Sequence, residues 1–240
     1  MCEQPPRAGD ELRYEIKLPL FNRSVGDVAW AIRRHPFGFR EVYPPRLVNN
    51  LYFETPGLDC FYTSISGASD RYKVRLRWYE DAQDPILQWK WRRAAVGFKW
   101  TVPVELHQFD DAPTAALATS RHRRELRRLL ASQVSPLQRR YLRELPLMAV
   151  LNRYRRRYFE SAIGSCRLTV DDGIVFAALP SGASAAGRGL VRCPRLMVVE
   201  LKARASQRAT LQQVLQGISY RPARYSKYAA ALRYFLGSVD

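Results

Sequence analysis

Residues 71–79 read Arg71-Tyr72-Lys73-Val74-Arg75-Leu76-Arg77-Trp78-Tyr79, in which basic and apolar or aromatic side chains alternate from Arg71 to Trp78. Successive side chains of a β-strand point to opposite faces. Arg71, Lys73, Arg75 and Arg77 therefore share one face, and Tyr72, Val74, Leu76 and Trp78 the other. The design recurs along the chain. Gln88, Lys90 and Arg92 oppose Leu87, Trp89 and Trp91, while Lys99 and Thr101 oppose Trp100 and Val102. Arg13, Glu15 and Lys17 oppose Tyr14, Ile16 and Leu18, and Glu200 and Lys202 oppose Val199 and Leu201. One such strand is compatible with charges in solvent above an apolar core. Five strands whose charged faces carry mostly one sign are not, because solvated surfaces intersperse both signs. The pattern predicts basic residues lining an interior surface, with the tryptophans of the opposite faces packed as core beneath outer helices.

Working outward, period-2 alternation marks eight strands, at about 11–19, 46–55, 71–80, 86–93, 97–105, 148–159, 165–172 and 196–203. Eight strands suffice to close a sheet on itself and remove its raw edges. The predicted fold is α+β: an eight-stranded antiparallel closed β-barrel with peripheral helices. Ser24 is placed to cap a helix carrying Val25, Val28, Ala29 and Ile32 on one stripe and ending near His35-Pro36. The leucine- and arginine-rich stretch within about 110–146 reads as an amphipathic helical insertion. Two final helices fall within about 206–236, broken at Arg221-Pro222. Residues 180–190, rich in Gly, Ala and Ser, read as a flexible loop, and 1–10 as a disordered N-terminus. No composition shift or repeat divides the 240 residues, so one domain is expected.

Lys and Arg total 39 against 22 Asp and Glu, a formal charge of +17, which calls for a polyanionic partner. Cys2, Cys60, Cys166 and Cys193 are scattered, as are His35, His107 and His122, which argues against a zinc site and for reduced thiols in a cytoplasmic protein. The N-terminus has no apolar signal-peptide core, and no apolar run is long enough to span a bilayer. The arginine-rich segment 121–128 invites a nucleic-acid or anionic-surface reading. No recognition-helix, RNP or zinc-finger motif accompanies it, so a solvated helix face is the expectation and peripheral docking the functional alternative. The sequence leaves the oligomeric state open.

Glu15 and Glu200 share faces with Lys17 and Lys202. Two readings stand for these carboxylates: ion pairs inside the barrel, or ligands of Mg²⁺ or Mn²⁺, which take oxygen donors from one or two carboxylates plus substrate phosphates.

Glu15-Ile-Lys17, Asn50-Leu-Tyr-Phe-Glu-Thr-Pro56, Asp70-Arg-Tyr-Lys-Val-Arg75-Leu-Arg77, Lys90-Trp-Arg92, Tyr154-Arg-Arg156, Arg167-Leu-Thr-Val-Asp171, Glu200-Leu-Lys202 and Ser226-Lys227-Tyr228 occur in order along the chain. This succession resembles VTC domains, the catalytic domain of the eukaryotic vacuolar transporter chaperone and its bacterial relatives. They belong to the triphosphate tunnel metalloenzymes together with the CYTH proteins. The resemblance implies a tunnel that binds triphosphate with Mn²⁺ or Mg²⁺ and makes polyphosphate from ATP. Carried over by position, Lys17, Arg75, Arg77, Lys90, Lys99, Arg156, Arg167 and Lys227 become phosphate ligands, with Arg75, Arg77, Lys90, Arg156 and Lys227 nearest the chemistry. Lys73, Arg92 and Lys202 join them on the same faces, Tyr154 and Ser226 become supporting donors, and Glu200, with Glu15, the metal ligand. Register around Arg153–Arg157 is open by one residue, which would exchange the inward and outward sets.

Two positions depart from the pattern of many tunnel hydrolases: Arg13 and Gln88 stand where those carry glutamates. Fewer carboxylates weaken the case for a metal-activated water. The expectation is therefore polyphosphate synthesis, with a tripolyphosphatase or nucleoside triphosphatase, or a non-catalytic binder of polyphosphate or inositol phosphates, as alternatives.

Overall fold

The computed structural model describes residues 13–80, 83–93, 96–106, 109, 117, 119–163, 166–179, 191–193 and 195–237. The predicted N-terminal segment 1–10 and loop 180–190 lie outside these residues, as does part of the stretch preceding residue 119. The elements run β1 (Arg13–Phe21), α1 (Val25–Arg33), β2 (Arg40–Glu54), α2 (Asp59–Ser66), β3 (Asp70–Tyr79), β4 (Gln83–Arg93), β5 (Val96–Pro103), α3 (Ser120–Ser132), α4 (Pro136–Glu144), β6 (Leu147–Glu160), β7 (Arg167–Ala178), β8 (Val191–Cys193), β9 (Leu196–Arg204), α5 (Arg208–Gln216) and α6 (Lys227–Leu236).

All eight expected strands form, joined by the three-residue β8, which pairs with β7. The strand order is β1-β9-β7-β6-β2-β3-β4-β5, antiparallel at every step. Closure is where the prediction fails: the sheet curls into an open half-barrel whose edges, β1 and β5, are not paired to each other. Side chains do part of what backbone pairing would have done. Lys90 of β4 reaches Glu15 of β1 at 3.2 Å, and Lys17 of β1 donates to the Tyr225 carbonyl ahead of α6 at 3.2 Å.

The alternation sorts side chains as anticipated. Val74, Leu76, Trp78, Leu87 and Trp89 are fully buried on the convex face. There they join Leu126 and Leu130 of α3 and Leu142 of α4 in one core. Tyr141 of α4 packs edge-on against Trp91 (5.5 Å) and Trp100 (6.2 Å). A second core places Val28, Ala29 and Ile32 of α1 and Leu211 and Val214 of α5 over Leu18, Leu168, Val199 and Leu201. Trp30, on a helix and not a strand face, is not core: it lies on the exposed side of α1, 60% accessible, under the Arg34 guanidinium.

The helical insertion is two helices. Ser135 caps α4 with a reciprocal Ser135–Gln138 box and Pro136 in the first turn, a combination that starts a helix and cannot continue one. Arginines stitch the pair together. Arg127 donates to the Leu142 and Leu145 carbonyls at the end of α4, and Arg139 to Ala131 and Val134 at the end of α3. Arg121 and Arg124 face solvent, and Arg123 donates to the Leu117 carbonyl. Helix α2 escaped the sequence reading because it spans eight residues behind a left-handed Leu58 without a side-chain cap. No disulfide links Cys60, Cys166 and Cys193, and no described helix is long and apolar enough to cross a membrane.

Because Leu126 is fully buried and Arg124 exposed on the same helix, their substitutions separate cleanly. Leu126→Ala is expected to destabilise by about 2–5 kcal/mol, and Arg124→Ala by no more than about 0.5 kcal/mol, read from urea unfolding midpoints.

Candidate functional site

The concave face is identified by contacts that jump between strands not paired to one another. Arg77 of β3 approaches the Tyr154 hydroxyl of β6 at 3.4 Å across β2, and Arg156 of β6 reaches Glu200 of β9 at 3.5 Å across β7. These side chains line a trough running along the strands.

One wall is laid out by register. Lys73, Lys90 and Lys99 form a row across β3, β4 and β5, and the next row is Arg75, Gln88 and Thr101. The Gln88 carbonyl oxygen accepts from Arg75 Nε (3.0 Å) and Nη2 (2.8 Å), while its amide donates to Thr101 at 3.3 Å. Tyr52 of β2 receives Arg75 Nη1 at 3.3 Å. Arg77 Nε donates to Asn50 Oδ1 at 2.8 Å, and Asn50 in turn donates to Asn152 at 2.8 Å. Each arginine is thus aimed by a neutral oxygen, which orients the guanidinium without cancelling its charge.

The other wall concentrates the acids. Asp171 of β7, without exposed surface, takes a bidentate pair from Arg156 (2.5 and 2.7 Å) and a further hydrogen bond from Lys227 at the start of α6. Glu200 pairs with Lys202 at 3.1 Å and with Arg156, and Glu15 with Lys17 at 3.0 Å and with Lys90. Ser226 caps α6 through its side chain and accepts from Lys73 at 2.9 Å. Behind it the Tyr228 hydroxyl donates to the fully buried Glu54, whose burial raises its carboxyl to about 7.

Charge crowding shows in the ionisation equilibria. Burial, reinforced by Lys17, Lys90 and Arg71, lowers Lys73 to about 8, the ionised form of Tyr52 opposing the shift. Burial opposes ionisation of Tyr52, yet Arg75, Arg77 and Lys73 bring its phenol down to about 7. Lys90 is also lowered, by burial and then by neighbouring lysines, against the pull of Glu15 and Glu200. Glu200 is buried too, but Lys202 and Arg156 hold it well below the ordinary carboxylate range. Burial likewise opposes ionisation of Asp171, and Arg156 and Lys227 overcome it.

The structure therefore gathers Lys17, Lys73, Arg75, Arg77, Lys90, Lys99, Tyr154, Arg156, Lys202, Ser226 and Lys227 on one surface with Glu15 and Glu200. Arg156 points inward, while Arg153 pairs with Asn49 and Arg157 with Glu41. Arg167 and Arg92 stand at the rims. Arg167, 66% accessible along its side chain, is engaged by Glu160 at 2.9 Å, and Arg92 is exposed opposite Arg71. Asp171, Tyr52, Asn50 and Asn152 were missed as site residues. Strand parity alone could have found Asp171, two steps from Thr169 and four from Arg167.

Both readings of the carboxylates fit the donor chemistry. Every carboxylate oxygen of Glu15 and Glu200 has a cationic partner, yet the buried Thr169 hydroxyl, paired in register with Glu200, has no hydrogen-bond partner. Two carboxylates and a spare hydroxyl are hard oxygen donors suited to Mg²⁺ or Mn²⁺ once phosphates complete the shell. Among the described residues no cluster of three Asp, Glu, His or Cys side chains forms a closed all-protein metal cage.

Removing Asp171 would leave Arg156 buried without its counter-charge. Asp171→Ala is expected to destabilise by about 3–5 kcal/mol in urea unfolding at neutral pH. The stabilisation from Asp171 is complete above the unfolded aspartate value near 3.9 and fades as pH falls through its lower folded value. The gap between wild type and variant should therefore narrow only in strong acid.

No curated protein sequence matches the chain. Among solved structures, a protein from Pyrococcus horikoshii OT3 overlays with a TM-score of 0.47 at 12% identity, covering 92% of this chain and 99% of that one. A putative adenylyl cyclase from Hippeastrum, described as having a dominant triphosphatase activity, gives 0.49 at 16% identity, covering 92% and 96%. A putative adenylate cyclase from Vibrio parahaemolyticus gives 0.48 at 10% identity, covering 91% and 97%. The VTC domain model matches residues 22–236, from the turn after β1 to the end of α6, and the chain belongs to the VTC domain family.

Proposed function

We propose that the trough binds the linked phosphates of ATP, triphosphate or polyphosphate together with a divalent cation, and that the protein synthesises inorganic polyphosphate from ATP. The observation that carries this reading is the convergence of lysines and arginines from both walls on one concave face holding only a few carboxylates. An extended polyanion lying along the strands neutralises them together; a small anion would not.

The chain's own residues supply positioning and charge. Arg75, Arg77 and Arg156 offer planar donors for bidentate contact with phosphate oxygens, and Lys73, Lys90 and Lys227 act as point charges. Asp171 and the Asn50–Asn152 pair keep Arg156 and Arg77 aimed before substrate arrives, the preorganisation that electrostatic catalysis requires. The acceptor is the terminal phosphate of the growing chain. Its oxygen attacks the γ-phosphorus in line, the bond to the bridging oxygen breaks, and ADP leaves with that electron pair. An anionic phosphate oxygen needs no general base. Glu200 and Glu15 are the residues that would hold Mg²⁺ or Mn²⁺, which when bound neutralises charge on the phosphates.

Hydrolysis of triphosphate is the second reading. Gln88 weighs against it, since a neutral amide on Arg75 stands where a carboxylate would help hold a cation that activates water.

Incubating the pure protein with ATP and Mn²⁺ distinguishes the readings. Long-chain polyphosphate on a gel supports synthesis, orthophosphate alone supports hydrolysis, and binding without either product reduces the site to a receptor. Arg75→Ala is expected to lower turnover by about 10²-fold or more, the loss typical of removing one such stabilising donor.

Ionisation gives a further test. Phosphates favour protonated Lys73 and neutral Tyr52, so ligand binding takes up protons once pH passes about 7 for Tyr52 and about 8 for Lys73. Triphosphate affinity should therefore fall as pH rises from 7 to 9. Calorimetry at pH 8.5 in buffers of different ionisation enthalpy should show net proton uptake, reduced in Tyr52→Phe.

A further inference from the structure

At one end of the trough, β2 is interrupted by Tyr43-Pro44-Pro45-Arg46. Neither proline has an N–H to donate, and the ladder to β6 skips there: Tyr43 pairs with Tyr158 and Arg46 with Arg156, three steps along β2 against two along β6. A second shift lies between Glu41 and Tyr43. Bulges of this kind re-aim side chains at the rims of curled sheets. Here they set Tyr43 edge-to-face on Tyr158, with centroids 5.9 Å apart at 90°, and bring the Arg46 guanidinium to 5.7 Å from the Tyr43 ring. Tyr43 nevertheless remains 53% accessible, too open to serve as core.

The position of this group matters as much as its shape. Tyr158 senses the charges of Arg156 and Arg77, which places it beside the phosphate-facing cations. Along β6 it lies two residues beyond Arg156, about 7 Å at the rise of a strand. That separation is of the size of a sugar between a phosphate and a ring.

We propose that Tyr43, Tyr158 and Arg46 form a stacking site for the planar base of a nucleoside triphosphate whose phosphates lie in the trough. The proposal rests on the phosphate-binding reading and assigns this chain's own residues to the base of its nucleotide substrate. Aromatic rings and arginine planes both accept bases with little discrimination, because every base has a π-face. The site therefore separates nucleotides from inorganic triphosphate while tolerating several bases.

Calorimetric titration of wild type, Tyr43→Ala and Tyr43→Phe with a non-hydrolysable ATP analogue and with inorganic tripolyphosphate tests it. Tyr43→Ala is expected to weaken the nucleotide by about tenfold, within the range for losing one base–aromatic stack, and to leave tripolyphosphate within about twofold of wild type. Tyr43→Phe should bind both ligands like wild type. An equal loss for both ligands in Tyr43→Ala, or no loss for the nucleotide, overturns the proposal. Wild-type protein that binds neither ligand overturns the phosphate reading first, an outcome distinct from both.

Discussion

Asp171 carries two basic residues on a single buried carboxylate: Arg156 from the neighbouring strand and Lys227 from the first turn of the last helix. Its two partners belong to β6 and α6, so the same contact that makes a buried carboxylate tolerable also docks the C-terminal helix against the sheet. An unpaired charge at full burial would be expelled or neutralised. Placing it between two cations turns a liability into a fixed point from which the trough is built.

The remaining order follows from how sparingly anions are used. Glu15 and Glu200 each hold two cations, while Arg75 and Arg77 are arranged by the amides of Gln88 and Asn50 and the hydroxyls of Tyr52 and Tyr154. Neutral acceptors satisfy the donors and fix their direction, yet leave the net charge of the face positive. The depressed values of Lys73 and Lys90 record burial first and the repulsion of neighbouring lysines second. A polyanion would relieve that repulsion on binding, so a surface unfavourable to itself becomes favourable in complex. At the open side of the sheet, the ion pair from Lys90 of β4 to Glu15 of β1 joins the two walls.

Much of the basic excess proves to be structural. Arg127 and Arg139 terminate each other's helices, Arg153 rests on Asn49, and Arg33 and Arg157 share Glu41. Total charge was therefore a weaker guide to the site than strand parity. The arginines of segment 121–128, which invite a nucleic-acid reading, divide between solvent and helix capping.

Period-2 alternation determined, without any structure, that β3, β4 and β5 present basic residues to one side and tryptophans to the other. It could do so because a strand has only two faces and one of them must be buried. The ordered motifs, through their resemblance to VTC domains, likewise pointed to Lys17, Arg75, Arg77, Lys90, Glu200 and Lys227, which the structure places on one surface. Alternation is silent on which strands become neighbours, since pairing depends on contacts far apart in sequence. Only the tertiary structure decided that Arg156 rather than Arg155 faces inward, through its bond to Asp171 fifteen residues away. It alone showed that the sheet stays open, because closure depends on the edges meeting and not on any one strand. The proline bulge that aims Tyr43 was visible as two residues in the chain, but its consequence needed the partner strand against which the register slips.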